Sequence, residues 1–399
     1  MKIYNYIVLF LVGMTWTSCS DWLDLQPQDT TVEEDLFKTG EGYRNALNGI
    51  YKQMATSSMY GKVLTWGALD AMAQYYSTGN GTTEDYFSDY IYSRDETKSQ
   101  IKQIWSTAYN CIANCNNLIQ RVEKAPVSLF AYGEEEKNLI WGEAKALRAI
   151  LHFDILRLFA PGPKLDDGKK YVPYVSEYPI TFQEYMSNKD VLKKITEDLV
   201  HAKQLVGKFD IPRPLWLRTV TRFANNHNSI PEDNRPDDLF LAYRGYRLNY
   251  YAICGMLARV YSYREMYKEA YDETEIVLNA TFDEYGSKLF EFTPSRDISN
   301  EGNVKMYDEL LFCLSNQLLV TDYKAYSSTE PFALNCSSLL DWFDNDNGDA
   351  RGKLLYEEGQ YYKDCYSAKY TERSGSYYTY AKDMIPMIRI GELYLIRAE

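Results

Sequence analysis

Residues 247–278 read RLNYYAICGMLARVYSYREMYKEAYDETEIVL. Apolar and aromatic side chains recur here at helical spacing on both sides of a polar break at Arg264 to Met266, which predicts two helices joined by a tight turn. Ala258, Tyr261, Tyr267 and Ala270 fall three, six and three residues apart. Small side chains at the two ends of that series let paired helices approach closely, while the two rings fill the space beside them. Glu265 occupies the turn position where glycine is usual.

That order of small, aromatic, aromatic and small positions resembles a tetratricopeptide repeat, with weaker echoes at 141–159 and 386–399. A single helix pair cannot bury its own faces and needs neighbours. The rest of the chain offers them. In 43–54, Tyr43, Ala46, Leu47, Ile50, Tyr51 and Met54 form one stripe. From Ile101 to Val122 the helical period holds for about six turns. Residues 141–159 are apolar nearly all round between Ala146 and Phe159, which predicts a helix packed on several sides at the centre of the fold, stopped by Pro161 and Gly162. Ser187 followed by Asp190 resembles a capping box ahead of Val191, Leu192, Ile195, Leu199, Ala202 and Leu205. Convincing strand patterns are almost lacking. The expected fold class is all-α, a tetratricopeptide-like helical scaffold with a loop-rich region.

The first residues give the chain's destination. Lys2 precedes Ile7 to Met14, an uninterrupted apolar run of secretory-signal length. It is too short for a membrane span, which needs about 20 apolar residues, and Asn5, Thr15, Thr17 and Ser18 bound it. Cleavage before Cys19 leaves a thiol at the new N-terminus, which resembles a bacterial lipoprotein whose acyl chains hold a soluble domain at a membrane surface. Trp16 stands where such processing sites usually carry Leu. We therefore read 1–18 as a lipoprotein signal peptide, Cys19 as the lipid anchor and 19–399 as one helical domain. A net charge of −13 argues against electrostatic binding to nucleic acid or to an anionic membrane, so membrane contact is expected through the lipid anchor only. Six cysteines follow Cys19, an even number that permits disulfides in an exported chain without establishing them. Cys111 and Cys115 share one helical face, where small buried thiols are the simpler reading.

No motif for nucleophilic, nucleotide or metal chemistry is present: the three histidines, His152, His201 and His227, form no HExxH, and GxSxG, GxxxxGK[ST] and GxGxxG are absent. No cofactor is implied. His152 lies in the most apolar helix and reads as a core histidine satisfied locally. A helical glycoside hydrolase needs only two carboxylates, and Glu143 and Asp154 are the acids in apolar surroundings; a paired structural role is the simpler reading for both. The run DNDNGD, 344–349, fails as a calcium loop, because Gly348 falls fifth, Asp349 sixth and Leu355 twelfth from Asp344. It reads as a solvated turn.

Carbohydrate sites need exposed rings beside hydrogen-bonding polar groups. The chain has 37 tyrosines, more than its 7 Trp and 16 Phe together, and two stretches without helical period collect them. In AQYYSTGNGTTEDYFSDYIYS, 73–93, Tyr75, Tyr76, Tyr86, Tyr90 and Tyr92 surround Asn80, Asp85 and Asp89. In VTDYKAYSSTEPFALNCSSLLDWFDNDN, 320–347, stand Tyr323, Tyr326 and Trp342. Tyr75, Tyr76, Asn80, Tyr86, Tyr90, Tyr323, Tyr326 and Trp342 are the candidate ligand-binding residues. The expectation concerns the two clusters rather than any single ring.

Seven segments, taken in order, resemble the RagB/SusD family of Bacteroidetes outer-membrane lipoproteins: CSDWLDLQP behind the signal, LNGIYKQM, IWSTAYNCIANCNNLI, GEAKALRAILHFDILRLF, ARVYSYREMYKEA, DNGDAR and IRIGELYLIRAE. The resemblance spans nearly the whole chain. It implies tetratricopeptide-like helix pairs with a loop-rich ligand face, and a surface protein that captures glycans, or peptides in some members, for a TonB-dependent SusC-like transporter. It also implies a loop containing Asp349 and Arg351, and it matches no particular ring closely enough to assign it a ligand. Family members usually run on past a helix like the one at Glu399, so the chain is expected to lack a C-terminal part. The readings carried forward are glycan capture, peptide or protein binding on the same fold, and, third, hydrolysis.

Overall fold

A computed structural model describes residues 33–223, 230–232, 235–299, 302–329, 332–335, 354–358 and 364–399. The predicted signal segment, Cys19, His227, Trp342 and the 344–349 run lie outside the described residues. Among the described residues, eight helices form the frame: α1 (Gly40–Met54), α2 (Asp95–Lys124), α3 (Gly133–Phe159), α4 (Asn188–Asp210), α5 (Tyr250–Tyr263), α6 (Tyr267–Leu278), α7 (Leu319–Thr329) and α8 (Ile390–Ala398). Shorter helical turns connect them.

The sequence dictates these helices directly. The predicted stripe of α1 is its buried face, with Leu47, Ile50 and Met54 at most 1% exposed and only Ala46 less enclosed. Asp95 and Glu96 open α2, and Arg121 and Lys124 close it, so its charges oppose the helix dipole at both ends. The Ser187 hydroxyl caps α4, accepting from the Asp190 N–H at 3.2 Å. Asn249 caps α5 by accepting from the Ala252 N–H at 2.9 Å.

The helix expected at the centre, α3, is packed on several sides. α3 lies between α2 and α4, α4 meets α5, and α5 and α6 pair with each other and with α8. Gly142 sets the closest approach of α3 to α4, since a Cβ there would stand 2.7 Å from Val206 Cγ2. Each large aliphatic side chain that α3 buries is worth about 1.5–3 kcal/mol, and Leu139, Ile140, Leu147, Leu151 and Leu156 are all at most 1% exposed. The helix pair read from 258–270 forms as expected, with Ala258 and Ala270 buried. Glu265 in its turn has φ 59°, the left-handed conformation that glycine adopts without cost.

Two features differ from the sequence reading. α3 begins at Gly133, about two turns before the predicted start at 141, because its first turn carries Glu134, Glu135 and Glu136 and so shows no hydrophobic period. Strands, almost invisible in the sequence, form four short antiparallel pairs among the described residues: β1 (Tyr76–Thr78) with β5 (Phe332–Leu334), β2 (Lys170–Pro173) with β3 (Tyr185–Ser187), β4 (Leu310–Ser315) with β8 (Met384–Arg389), and β6 (Leu355–Glu358) with β7 (Asp364–Ser367). Most are three or four residues long, too short for alternation to register.

Candidate ligand-binding face

The β1–β5 ladder decides the site, because it joins the two tyrosine-rich stretches that lie far apart in the chain. Tyr76 pairs with Leu334, Ser77 with Ala333 and Thr78 with Phe332, and the Asn335 N–H donates to the Tyr75 carbonyl at 2.9 Å. A second tie runs between side chains: the Tyr326 hydroxyl donates to Glu84, a carboxylate only 2% exposed. Lys62 completes this knot, 3.4 Å from Glu84 Oε1 and 3.4 Å above the Tyr326 ring.

The loop after β1 is held by one acid. Asp85 accepts from the Gly81 N–H at 2.9 Å and from the Thr78 hydroxyl at 3.1 Å, and its own N–H is capped by the Thr82 hydroxyl at 3.2 Å. Gly81, at φ 82°, makes the turn that leaves Asn80 exposed at its tip. Asp85 is thereby committed to shaping the loop. Tyr90 lies at φ 57° and donates its hydroxyl to the Met72 carbonyl at 2.9 Å, which pins its edge and leaves the residue 53% exposed.

The candidate residues separate into those that build the face and those that present a surface. Tyr76 and Tyr323 are 6% and 1% exposed, so their rings pack inside. Tyr323 meets the buried indole of Trp66 edge-on at 5.0 Å and Tyr370 at 5.3 Å, and burial raises its hydroxyl pKa. Tyr326 is partly covered by Lys62, and Tyr86 lies 5.0 Å beneath the Arg94 guanidinium. Tyr75, Tyr90 and Tyr92, at 38%, 53% and 44%, are the open rings. Tyr323 and Tyr326 stand on α7 and Tyr86 on a short helix, Thr83–Ser88, rather than in loops. Their Thr- and Ser-rich surroundings hide the helical period.

Beside α7 lies a cavity of about 280 Å³, lined by Tyr323, Ser327, Ser328, Tyr366, Tyr370 and Thr371, with Lys324 and Glu372 also on its wall. Ser327 and Ser328 donate to backbone carbonyls of their own helix and keep acceptor capacity. The Thr371 hydroxyl is buried without a hydrogen-bond partner. Rings, hydroxyls and one charge of each sign suit a polyhydroxylated ligand. Sequence reasoning missed Lys62, Trp66, Glu84, Tyr366 and Tyr370, since none falls in a motif and Tyr366 and Tyr370 lie beyond the second cluster. Beneath this face, burial raises the Asp70 carboxyl pKa to about 7, with Lys369 opposing the shift. Burial likewise lowers the Lys369 ammonium to about 8, with Arg389 adding to it.

The acids and the histidine considered for catalysis have structural partners. Glu143, 0% exposed, accepts from Tyr51, Arg244 and Arg247 at 2.6–2.9 Å. Burial alone would raise its pKa, but Arg247 and Arg244 outweigh it and the net shift is downward, opposite to a general acid. Asp154 accepts from Tyr60 and Arg157. His152 Nε2 accepts from the Val175 N–H at 2.9 Å. That leaves Nδ1 as the donor to the Arg148 carbonyl at 2.9 Å, and burial holds the ring neutral with a pKa of about 3. Cys111, Cys115, Cys254 and Cys313 are free and buried. Among the described residues, no cluster of three or more metal-ligating side chains occurs, and no helix is long and apolar enough to cross a membrane.

This arrangement defines a helical scaffold carrying an aromatic, hydroxyl-rich face. The SusD-like family described as "Starch-binding associating with outer membrane" matches residues 21–214. A SusD-like protein of Formosa agariphila is 25% identical over 220 residues, which is 54% of this chain and 40% of that relative's length. A SusD superfamily protein from Bacteroides thetaiotaomicron shares the fold, with a TM-score of 0.65 at 21% identity over 90% of this chain and 75% of the other. A laminarin binding SusD-like protein superposes with a TM-score of 0.59 at 17% identity, covering 90% of this chain and 80% of its own. Over residues 21–214 the chain is a RagB/SusD family sequence, and its fold agrees with that of the SusD superfamily structure.

Proposed function

We propose that this chain is a non-catalytic glycan-capturing protein of the outer membrane. Acyl chains on Cys19 hold it at the outward face, and it passes bound oligosaccharide or polysaccharide to a TonB-dependent SusC-like transporter. The observation that carries the reading is the joining of the 73–93 and 320–335 stretches by the β1–β5 pair, beside a cavity of rings and hydroxyls. Open rings at Tyr75, Tyr90 and Tyr92 would stack on the C–H faces of sugars. The hydroxyls and the exposed Asn80 would take directional hydrogen bonds. The family's starch-binding description and the laminarin-binding relative support the ligand class. The paired states of Glu143 and Asp154 support capture over hydrolysis.

The test is calorimetric titration of the full chain, purified in detergent, against plant, host and microbial polysaccharides, with release of reducing ends followed in the same samples. Saturable binding without new reducing ends is expected. Silence across the panel from a folded sample would overturn glycan capture in favour of peptide or protein ligands, and product formation would overturn the non-catalytic reading.

A further inference from the structure

A second cleft, of about 480 Å³, opens between α1 and the turn-rich segment 238–247. It shares no lining residue with the cavity beside α7. Glu41, Asn48 and Lys52 lie seven and four residues apart on α1, hence on one helical face, and all three are exposed. Tyr243 and Tyr246 line the same cleft, both partly buried, with ring centroids 6.4 Å apart and planes inclined at 55°. Tyr243 is held at φ 52°, a left-handed conformation unfavourable for a residue that carries a side chain. Strain of that kind persists where surrounding structure enforces it, and it concentrates at binding sites.

The floor is fixed from below. Arg44 donates through Nε to Glu136 at 2.5 Å and through Nη1 to Asp238 at 2.7 Å. Its guanidinium lies 4.6 Å over Phe240, and that of Arg247 lies 3.7 Å from the same ring. Arg247 is tied in turn to Glu143. Arg44 Nη2 is buried without a partner beneath the cleft floor. The cleft therefore offers carboxylate acceptors at Glu41 and Asp238, the amide of Asn48, the ammonium of Lys52 and two tyrosine rings. Neither sign of charge dominates once the arginines are paired. A neutral ligand with many hydroxyls and an apolar ring face fits this set better than an anion or a cation.

We propose that the α1 cleft is a second carbohydrate subsite, separate from the aromatic face, which takes a neutral oligosaccharide. This rests on the glycan-capture reading. The test is equilibrium dialysis of the full chain with neutral oligosaccharides of six or seven units, cut from each polysaccharide that binds in the panel. Three forms are compared: wild type, Glu41→Gln/Asn48→Ala on the exposed helix face, and Tyr75→Ala/Tyr90→Ala on the aromatic face. Two oligosaccharides per chain at saturation are expected for the wild type, and one for each double variant. Uptake of one oligosaccharide that disappears with Tyr75→Ala/Tyr90→Ala and is unchanged by Glu41→Gln/Asn48→Ala would overturn the second subsite and leave glycan capture standing. The reverse pattern would uphold the α1 cleft and remove the aromatic face. No polysaccharide or oligosaccharide uptake by the folded wild type would overturn both.

Discussion

Replacing Glu143 by Gln should destabilise the protein by about 3–5 kcal/mol, the cost of breaking a buried ion pair on one side. The carboxylate is fully buried and receives four hydrogen bonds, one from Tyr51, one from Arg244 and two from Arg247. Arg244 keeps Asp210 at 3.0 Å after the change, but Arg247 has no second ion-pair partner among the described residues and its side chain is only 9% exposed. The new amide also turns an N–H₂ group toward guanidinium donors. Urea unfolding followed by circular dichroism reads the difference by linear extrapolation. The pH dependence gives a second check. Glu143's folded pKa lies below its unfolded value, so the stability it confers is present above the unfolded carboxylate pKa, about 4.3, and fades as pH falls through the lower folded value. The gap between wild type and variant should be constant from pH 5 to 8 and narrow in stronger acid. A loss under about 1 kcal/mol at pH 7, or a gap independent of acid, would refute the claim that this carboxylate is a desolvated structural group.

Other outcomes follow from the same geometry. Glu265→Gly should stabilise the protein by about 0.5–1 kcal/mol, because relief of the left-handed backbone exceeds the entropy glycine adds to the unfolded chain; a loss in the same urea assay would contradict it. The His152 ring, with its pKa lowered to about 3, should show no nuclear magnetic resonance titration between pH 5 and 8. Its folded value lies below the unfolded one, so stability should fall as pH drops from about 6.5 toward 3. Asp70 behaves oppositely: its folded pKa of about 7 exceeds the unfolded value, so stability should fall as pH rises from about 4 to 7. Asp70→Asn should remove that slope and gain at most a few kcal/mol at pH 8, at about 1.4 kcal/mol per pKa unit less solvent screening; an unchanged slope would contradict the assignment.

The helical frame was legible because its signals are local. The stripe of α1, the all-round apolar run of α3, the Ser187 cap and the small-aromatic series at 258–270 each lie within a few turns of chain. The two tyrosine clusters were legible as composition, and the structure brings them together. What sequence could not give was the division of labour within them, since burial depends on partners far away: Tyr323 is enclosed by Trp66 and Tyr370, and Tyr326 is covered by Lys62. The β1–β5 pair was invisible for the same reason, three residues on each side being too few to carry a period. The α1 cleft escaped notice because its walls come from segments about 200 residues apart, and the left-handed backbone of Tyr243 is not announced by its residue type.

Hydrogen–deuterium exchange of the full chain, with and without a saturating polysaccharide from the binding panel, tests the central claim most directly. Capture on the aromatic face predicts slowed exchange in 73–93 and in 319–335, the two stretches joined through β1 and β5, with the buried amides of α3 unchanged. Saturable binding that leaves both stretches at their free rates would contradict the account.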